Sequence, residues 1–84
     1  MATEDEFHAA AESVKGLARD PGNDTKLRLY ALYKQGTGGD AEGKRPGFGD
    51  MVGRAKWDAW NDLKGKSSEE AMQEYVDLVE SLKE

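Results

Sequence analysis

The chain of 84 residues contains no cysteine and a single histidine, His8. Without cysteine there is neither a disulfide nor a thiolate metal site, which is consistent with a reducing compartment. One histidine alone cannot supply the ligand spacing of a zinc site. The length allows one domain, residues 1–84, with a modest core because so small a domain leaves much of its surface in water.

Long apolar runs are missing as well. No stretch approaches the ~18 apolar residues that a transmembrane helix requires. Residues 1–6 are acidic and polar, the opposite of a signal peptide. We therefore expect a cytoplasmic protein without stable membrane insertion.

Positive charge is in short supply over the whole chain but not in its middle. The net charge of −5 disfavours nucleic-acid binding through phosphate neutralisation. Residues 34–66 nevertheless hold seven basic residues against five acids, or +2, and the remainder holds five against twelve, or −7. A solvated surface of mixed charge explains this pattern, but lysines interleaved with aromatic residues favour a small anionic ligand.

The first segment has helical spacing of its apolar residues, at Phe7, Ala10, Ala11, Val14, Leu17 and Ala18. Thr3 and Glu6 predict a capping box at its start. The turn sequence at residues 20–23 predicts its end. A second helix, capped by Asn23 or Asp24, runs to about Gly36. It is apolar almost all round over residues 27–33, so one face can cover the core while another contacts a ligand.

Six of the ten glycines lie between residues 36 and 49, and they predict a long loop with a functional role. A third helix is expected from Met51 to a glycine cap at Gly65. A fourth begins at Ser67, with Glu70 in capping-box register, and its apolar face is Met72, Tyr75, Val76, Val79 and Leu82. Strand patterns are lacking, so we predict an all-α four-helix bundle with a long Gly-rich loop between the second and third helices.

Catalytic and metal-binding motifs are weak. His8 and Glu12 have the i, i+4 spacing of a base and its orienting carboxylate, but a surface helical pair explains them. Asp58 and Asp62 have the same spacing and could bind a hard cation, although an exposed helix face accounts for them too.

The segment Gly38-x4-Gly43-Lys44 nearly matches a phosphate-binding P-loop. Arg45 stands where the motif needs Ser or Thr, Pro46 disfavours helical geometry there, and no strand precedes the loop. We therefore predict no P-loop, no catalytic residues, no cofactor and no metal ligands.

Aromatic rings and lysines share one helix face, because Tyr30, Tyr33 and Lys34 stand at i, i+3 and i+4. Such a face suits a ligand with a flat ring and anionic groups. Core packing and ligand contact explain the two tyrosines equally well. For Trp57 and Trp60, core packing is the favoured explanation.

The block Tyr30-x-x-Tyr33-Lys34-Gln35, followed by Lys56-Trp57-Asp58-Ala59-Trp60, resembles the acyl-CoA-binding proteins, and the resemblance runs from Phe7 to about Leu82. It implies a non-catalytic protein that binds and carries long-chain fatty acyl-CoA, forming and transporting an intracellular pool. We expect a monomer. The alternatives are a small helical protein–protein interaction module and an acyl-CoA hydrolase, for which no nucleophile and base are evident.

The resemblance also implies a role for individual residues. The predicted contacts to the CoA head group are Lys15, Tyr30, Tyr33, Lys34, Lys56 and Tyr75, with Lys56 on the 3′-phosphate. The predicted contacts to the acyl chain are Phe7, Ala10, Ala11 and Leu27. Two positions depart from the family pattern: Lys26 stands where relatives often have methionine, and Val52 replaces a common lysine.

Overall fold

A computed structural model describes residues 2–83. Its helices, in chain order, are α1 (Glu4–Val14), α2 (Asn23–Gly38), α3 (Met51–Asn61) and α4 (Ser68–Leu82). No strand forms within the described residues, and the predicted all-α fold of four helices is confirmed. None of these helices is both long enough and apolar enough to cross a bilayer.

Reciprocal hydrogen bonds fix the starts of α1 and α4. The Thr3 hydroxyl accepts a hydrogen bond from Glu6 N, and the Glu6 carboxylate accepts one from Thr3 N. Ser67 and Glu70 repeat this arrangement before α4. Both predicted capping boxes are confirmed. Each also places carboxylates in the first helical turn, where the helix dipole favours them.

The end of α1 was predicted too far along the chain. The helix ends at Val14 and does not include Leu17 or Ala18. Lys15 N donates to Glu12 O, and Gly16 N donates to Ser13 O at 3.0 Å, so the last turn tightens into i, i+3 bonds. The chain then leaves the helix axis before the Asp20-Pro21-Gly22 turn.

Three further boundaries differ from the predictions. The cap of α2 is Gly22, at φ 91°, and not Asn23 or Asp24; no side chain caps this end. The helix continues to Gly38, two residues beyond the expected end. Helix α3 ends at Asn61, and turns carry the chain from there to Gly65.

The core lies where α4 packs against both α1 and α2. Its helical members are Phe7, Ala10, Leu29, Ala31, Leu32, Ala71, Tyr75 and Val79. Gly36 permits the close approach of α2 to α4, because a Cβ there would lie 3.1 Å from Met72 Cγ. Helix α3 packs against α2 but contributes no buried residue.

A fully buried amide ties the loops to α2. Gln35 Nε2 donates to Asp40 Oδ1 at 2.8 Å and to the Lys66 carbonyl oxygen at 2.7 Å. The same Asp40 oxygen accepts a hydrogen bond from Gly65 N at 2.9 Å. Gly65 adopts a φ of 91°, which favours glycine. The loop after α2 and the connection before α4 therefore share one anchor.

Candidate ligand-binding site

Four of the six predicted head-group residues line one groove. Lys15, Tyr30, Tyr33 and Tyr75 meet around a cavity of about 390 Å³, which we call the tyrosine groove. It is completed by His8, Ala11, Glu12 and Leu29. Because these residues come from α1, its end, α2 and α4, the groove exists only when the three helices have packed.

Stacked aromatic rings form the base of the tyrosine groove. The Phe7 ring stacks on Tyr33, with centroids 5.3 Å apart, and meets Tyr75 edge-on at 5.1 Å. Phe7 and Tyr75 are buried, whereas Tyr33 is 37% exposed. The groove thus presents Tyr33 to solvent on a buried aromatic support.

Burial also sets the protonation state of Tyr75. Desolvation, with a smaller contribution from Tyr33, raises the pKa of its phenol above the ordinary value. The hydroxyl therefore stays neutral at physiological pH and can donate a hydrogen bond to an anionic group in the groove.

A second groove, between α2 and α3, has a volume of about 400 Å³ and mainly apolar walls. We call it the α2–α3 groove. Its lining residues are Asn23, Lys26, Leu27, Tyr30, Met51, Val52, Ala55 and Lys56. Tyr30 lines both grooves, so the two are adjacent. A ligand with a polar and an apolar half can occupy both.

Two of the predicted lysines lie over aromatic rings. Lys56 Nζ is 5.5 Å from the centroid of Tyr30, and Lys34 Nζ is 4.9 Å from the centroid of Trp60. Within residues 2–83, neither ammonium pairs with a carboxylate, so each keeps its charge available to an anion. Lys56 therefore places a positive charge at the boundary between the two grooves.

Lys15 is arranged differently. Its ammonium pairs with Glu12 at 3.2 Å, and both side chains are about three-quarters exposed, at 75% and 74%. Such an exposed pair contributes little to stability and is screened by salt. A phosphate entering the tyrosine groove therefore has to compete with Glu12 for this lysine.

The predicted acyl-chain residues do not form a single surface. Ala11 lines the tyrosine groove and Leu27 lines the α2–α3 groove. Phe7 and Ala10 are buried in the core, at 1% and 5% exposure, and line neither groove. Lys34 also lies outside the lining of both.

Met51 and Ala55 are among the groove residues that were missed from the sequence. Met51 and Ala55 line the α2–α3 groove together with Val52. Their i, i+4 spacing on α3 was the available signal, because residues at that spacing share a helix face. The spacing does not reveal which helix that face meets.

The Gly-rich loop is bonded to α3 by its polar groups. Trp60 Nε1 donates to the Gly39 carbonyl oxygen at 2.7 Å, and Trp57 Nε1 donates to that of Glu42 at 3.2 Å. Both tryptophans are partly exposed. Trp60 nevertheless packs against the edge of the core, as predicted, whereas Trp57 is not among the core residues. Their two hydrogen bonds hold the Gly-rich loop against α3.

An ion pair closes the same loop over α3. Arg45 donates to both carboxylate oxygens of Asp58, each at 2.7 Å. This contact lowers the pKa of Asp58 and raises that of Arg45. Within residues 2–83, no group of acidic or histidine side chains is arranged to hold a metal ion.

Comparison with known proteins agrees with this geometry. A family model described as "Acyl CoA binding protein" matches residues 4–79. An acyl-CoA-binding protein homolog of Drosophila melanogaster is 54% identical over 78 residues, which are 93% of this chain and 91% of that protein. Enoyl-CoA delta isomerase 2 of Rattus norvegicus is 56% identical over 81 residues, 96% of this chain, but the match spans only 21% of the isomerase.

Solved structures give the same result. The crystal structure of Oryza sativa acyl-CoA-binding protein 2 superposes with a TM-score of 0.89 at 46% identity, covering 94% of this chain and 88% of that one. The family model and the Drosophila relative each cover most of the chain, and the helices superpose. The chain belongs to the acyl-CoA-binding protein family.

Proposed function

We propose that the chain binds long-chain fatty acyl-CoA and carries it without altering it chemically. Its family and its relatives support the ligand class. The observation that carries the proposal is the pair of adjoining grooves, one lined by tyrosines and the other mainly apolar, with the Lys56 ammonium beside the shared Tyr30 ring. An acyl-CoA has a charged aromatic head and an apolar tail, so each groove meets the chemistry of one half.

In this proposal the head group lies along the tyrosine groove. The exposed face of Tyr33 offers a flat apolar contact for adenine, and the neutral Tyr75 hydroxyl is a hydrogen-bond donor. Lys15, Lys34 and Lys56 supply the cations for the pyrophosphate and the 3′-phosphate. Lysine suits such groups because it acts as a compact point charge.

The acyl chain then follows the α2–α3 groove. Leu27, Met51 and Ala55 provide its apolar walls. Phe7 and Ala10 remain predicted acyl contacts, although both are buried and neither lines the α2–α3 groove. In the structure as it stands, Phe7 supports the rings of Tyr33 and Tyr75 from behind.

The proposal assigns no catalytic step, because the lining groups of the tyrosine groove bind and orient and are not arranged as a nucleophile and its base. We also propose a monomer that works in the cytoplasm and does not bind nucleic acid. The absence of nucleic-acid binding rests on the net charge of −5, and the cytoplasmic location rests on the absence of cysteine.

Calorimetric titration with palmitoyl-CoA, CoA and palmitate in parallel tests the proposal. Each buried methylene contributes ~0.8 kcal/mol, and joining the two halves costs the association entropy once. Palmitoyl-CoA is expected to bind at least ~1,000-fold more tightly than either half, a gap of ~4 kcal/mol. Equal affinity for palmitate and palmitoyl-CoA would contradict it.

The rival functions are separated in the same samples. Release of free thiol from palmitoyl-CoA would indicate a hydrolase. A helical interaction module would show no high affinity for palmitoyl-CoA, and its partner binding would survive neutralisation of Lys34 and Lys56.

A further inference from the structure

The apolar α2–α3 groove has a polar end. Its wall on α2 is formed by Asn23, Lys26, Leu27 and Tyr30. A helix rises about 1.5 Å per residue, so Lys26 lies about 6 Å and Asn23 about 10 Å from Tyr30 along the axis of α2. Lys56 lies beside Tyr30, at the end that adjoins the tyrosine groove. The end farther from the tyrosine groove therefore carries an ammonium and a side-chain amide.

The Lys26 ammonium keeps hydrogen-bond donors for a ligand. Its Nζ donates to Asp20 Oδ2 at 2.8 Å, and the two side chains are 53% and 67% exposed. Exposed ion pairs of this kind are weak and are screened by salt. A lysine ammonium has three N–H donors, and the bond to Asp20 uses one of them. Lys26 can therefore bind a second carboxylate without releasing the first.

The start of α2 adds donors at the same end of the groove. In the described chain no side chain caps this helix, and Gly22 stands at the capping position. The first backbone N–H groups of a helix have no intrahelical partner, and the helix dipole places partial positive charge there. Asn23, the first helical residue, lines the groove, whereas the acidic Asp24 of the same turn is not among the lining residues. The ammonium, the amide and the helix start all favour an anion.

A tail that ends in a methyl group makes poor use of these donors. It would displace water from Lys26 and Asn23 without offering a hydrogen bond, and removing water from polar groups costs free energy. A tail that ends in a carboxylate restores those hydrogen bonds. Its methylenes still contact the apolar walls at Leu27, Met51 and Ala55.

We propose that the α2–α3 groove binds acyl-CoA whose tail ends in a carboxylate, the mono-CoA thioester of a long-chain dicarboxylic acid. The tail carboxylate accepts hydrogen bonds from Lys26 Nζ and from the side-chain amide of Asn23. Two anionic ends with an apolar middle match a groove that has Lys56 at one end and Lys26 at the other. This specificity rests on the proposed function, because the head group has to occupy the tyrosine groove for the tail to enter the α2–α3 groove.

Calorimetric titration with matched thioesters tests the proposal. One pair is palmitoyl-CoA and hexadecanedioyl-CoA, and the other is lauroyl-CoA and dodecanedioyl-CoA, with one CoA on each diacid. The two ligands of a pair share head group and chain length, so the ratio of their affinities reports the tail end alone. We expect the diacid thioester to bind at least as tightly as its partner in one pair or in both.

Lys26→Gln removes the charge and keeps a polar side chain. It is expected to lower the ratio of diacid to monoacid affinity at least ~tenfold, the effect of losing a charge-assisted hydrogen bond. The ω-methyl ester of hexadecanedioyl-CoA has no tail charge and should show no such response. Lys83→Gln is the matched control, because Lys83 is also exposed and pairs with one acid, Glu80, at 2.9 Å. It should leave the ratio unchanged.

Asp20→Asn tests the same contact in the opposite direction. Without the competing carboxylate, Lys26 is free for the ligand, and the affinity ratio should rise about threefold. Asparagine can still accept the hydrogen bond that Gly22 N donates to Asp20 Oδ1 at 2.8 Å, so the turn before α2 is retained. Circular dichroism checks the helical content of each variant.

The proposal is overturned if the diacid thioester binds more weakly than its partner in both pairs, or if Lys26→Gln and Lys83→Gln change the ratio equally. Either result with palmitoyl-CoA binding intact removes the tail specificity and leaves the proposed function standing. Failure of all four thioesters to bind would overturn both.

Discussion

Helices α3 and α4 both pack against α2. Helix α4 contributes buried side chains, whereas α3 contributes no buried side chain. Ala71, Tyr75 and Val79 of α4 are at most 5% exposed. Helix α3 is instead joined to the loop by Trp60, by Trp57 and by the pairing of Asp58 with Arg45. Full burial of apolar side chains therefore stabilises one side of the molecule. The other side has only partly buried apolar contacts, from Ala59 and Trp60, together with hydrogen bonds at partly exposed positions.

The comparison teaches how a small domain can have both a firm fold and an adaptable site. Burial of apolar area is the larger contribution to stability, and elements without it open first. The side formed by α1, α2 and α4 holds the tyrosine groove in shape. The α3 side, which lines the apolar groove, is the side free to adjust.

The sharpest test uses one substitution at two positions. Val79→Ala in α4 is expected to lower the free energy of unfolding by about 2–3 kcal/mol, because it removes two buried methyl groups and leaves a cavity. Val52→Ala in α3 is expected to change it by less than about 0.5 kcal/mol. Urea unfolding followed by circular dichroism measures both, and equal losses would end the distinction.

Lys56→Ala tests whether this α3 residue contributes more to ligand affinity than to the stability of the fold. A charge-assisted hydrogen bond is worth about 1.5–3 kcal/mol, so palmitoyl-CoA should bind more weakly by that amount. Urea unfolding of the unliganded protein should be nearly unaffected. Calorimetry gives the affinity of both proteins.

The control for Lys56→Ala is a second ligand. Palmitoyl-dephospho-CoA lacks the 3′-phosphate and should lose far less affinity, and added salt should shrink the difference between the ligands. A loss of the same size for both ligands would mean that Lys56 does not contact the 3′-phosphate.

The two tryptophans provide a finer comparison within α3. Trp60→Phe removes the 2.7 Å hydrogen bond to Gly39 and should cost about 1 kcal/mol. Trp57→Phe removes the longer, exposed bond to Glu42 and should cost less than about 0.5 kcal/mol. Urea unfolding midpoints measure the two stability losses. A larger loss for Trp57→Phe than for Trp60→Phe would show that the Trp60 hydrogen bond is not the main attachment of the loop.

The smallest effect concerns acid. Hydrogen bonds from Gly65 N and then from Gln35 lower the pKa of Asp40 in the folded protein. The stability contributed by its charge is fully present above the unfolded pKa of about 3.9 and is lost as pH falls through the lower folded pKa. Asp40→Asn should therefore lower the urea midpoint at neutral pH and have no effect in strong acid. If the urea midpoints of the two proteins still differ in strong acid, the effect of Asp40→Asn comes from altered hydrogen-bond geometry and not from the lost charge.

The fold was largely predictable because its signals are local. The capping residues Thr3 and Ser67 act on amides three positions away, and both starts were found. The end of α1 was missed because the tightened turn at Gly16 competes with a continuing apolar pattern through Leu17 and Ala18. At such an end, the turn residues favour termination and the apolar spacing favours continuation of the helix. Tertiary packing then determines which of the two conformations forms.

The site was predictable in part. Lys15, Tyr30, Tyr33 and Tyr75 meet as the family pattern implies, but Leu27 lies in another groove from Ala11. Which side of α2 faces α3 depends on the packing of both, which spacing along one helix does not encode. The anchor of the loop at Gln35 was missed for the same reason, because its partners are fixed by tertiary contacts.

The packing of α1 on α4 has a consequence for synthesis of the chain. Elements that leave the ribosome first normally begin to fold first. Here Phe7 and its stacking partner Tyr33 emerge early, but Tyr75, which meets both rings, emerges only with the last of the four helices. Contacts between such distant segments also slow folding. The nascent chain is therefore expected to expose the apolar face of α1 throughout its translation, and to bury it in one late step once α4 is available.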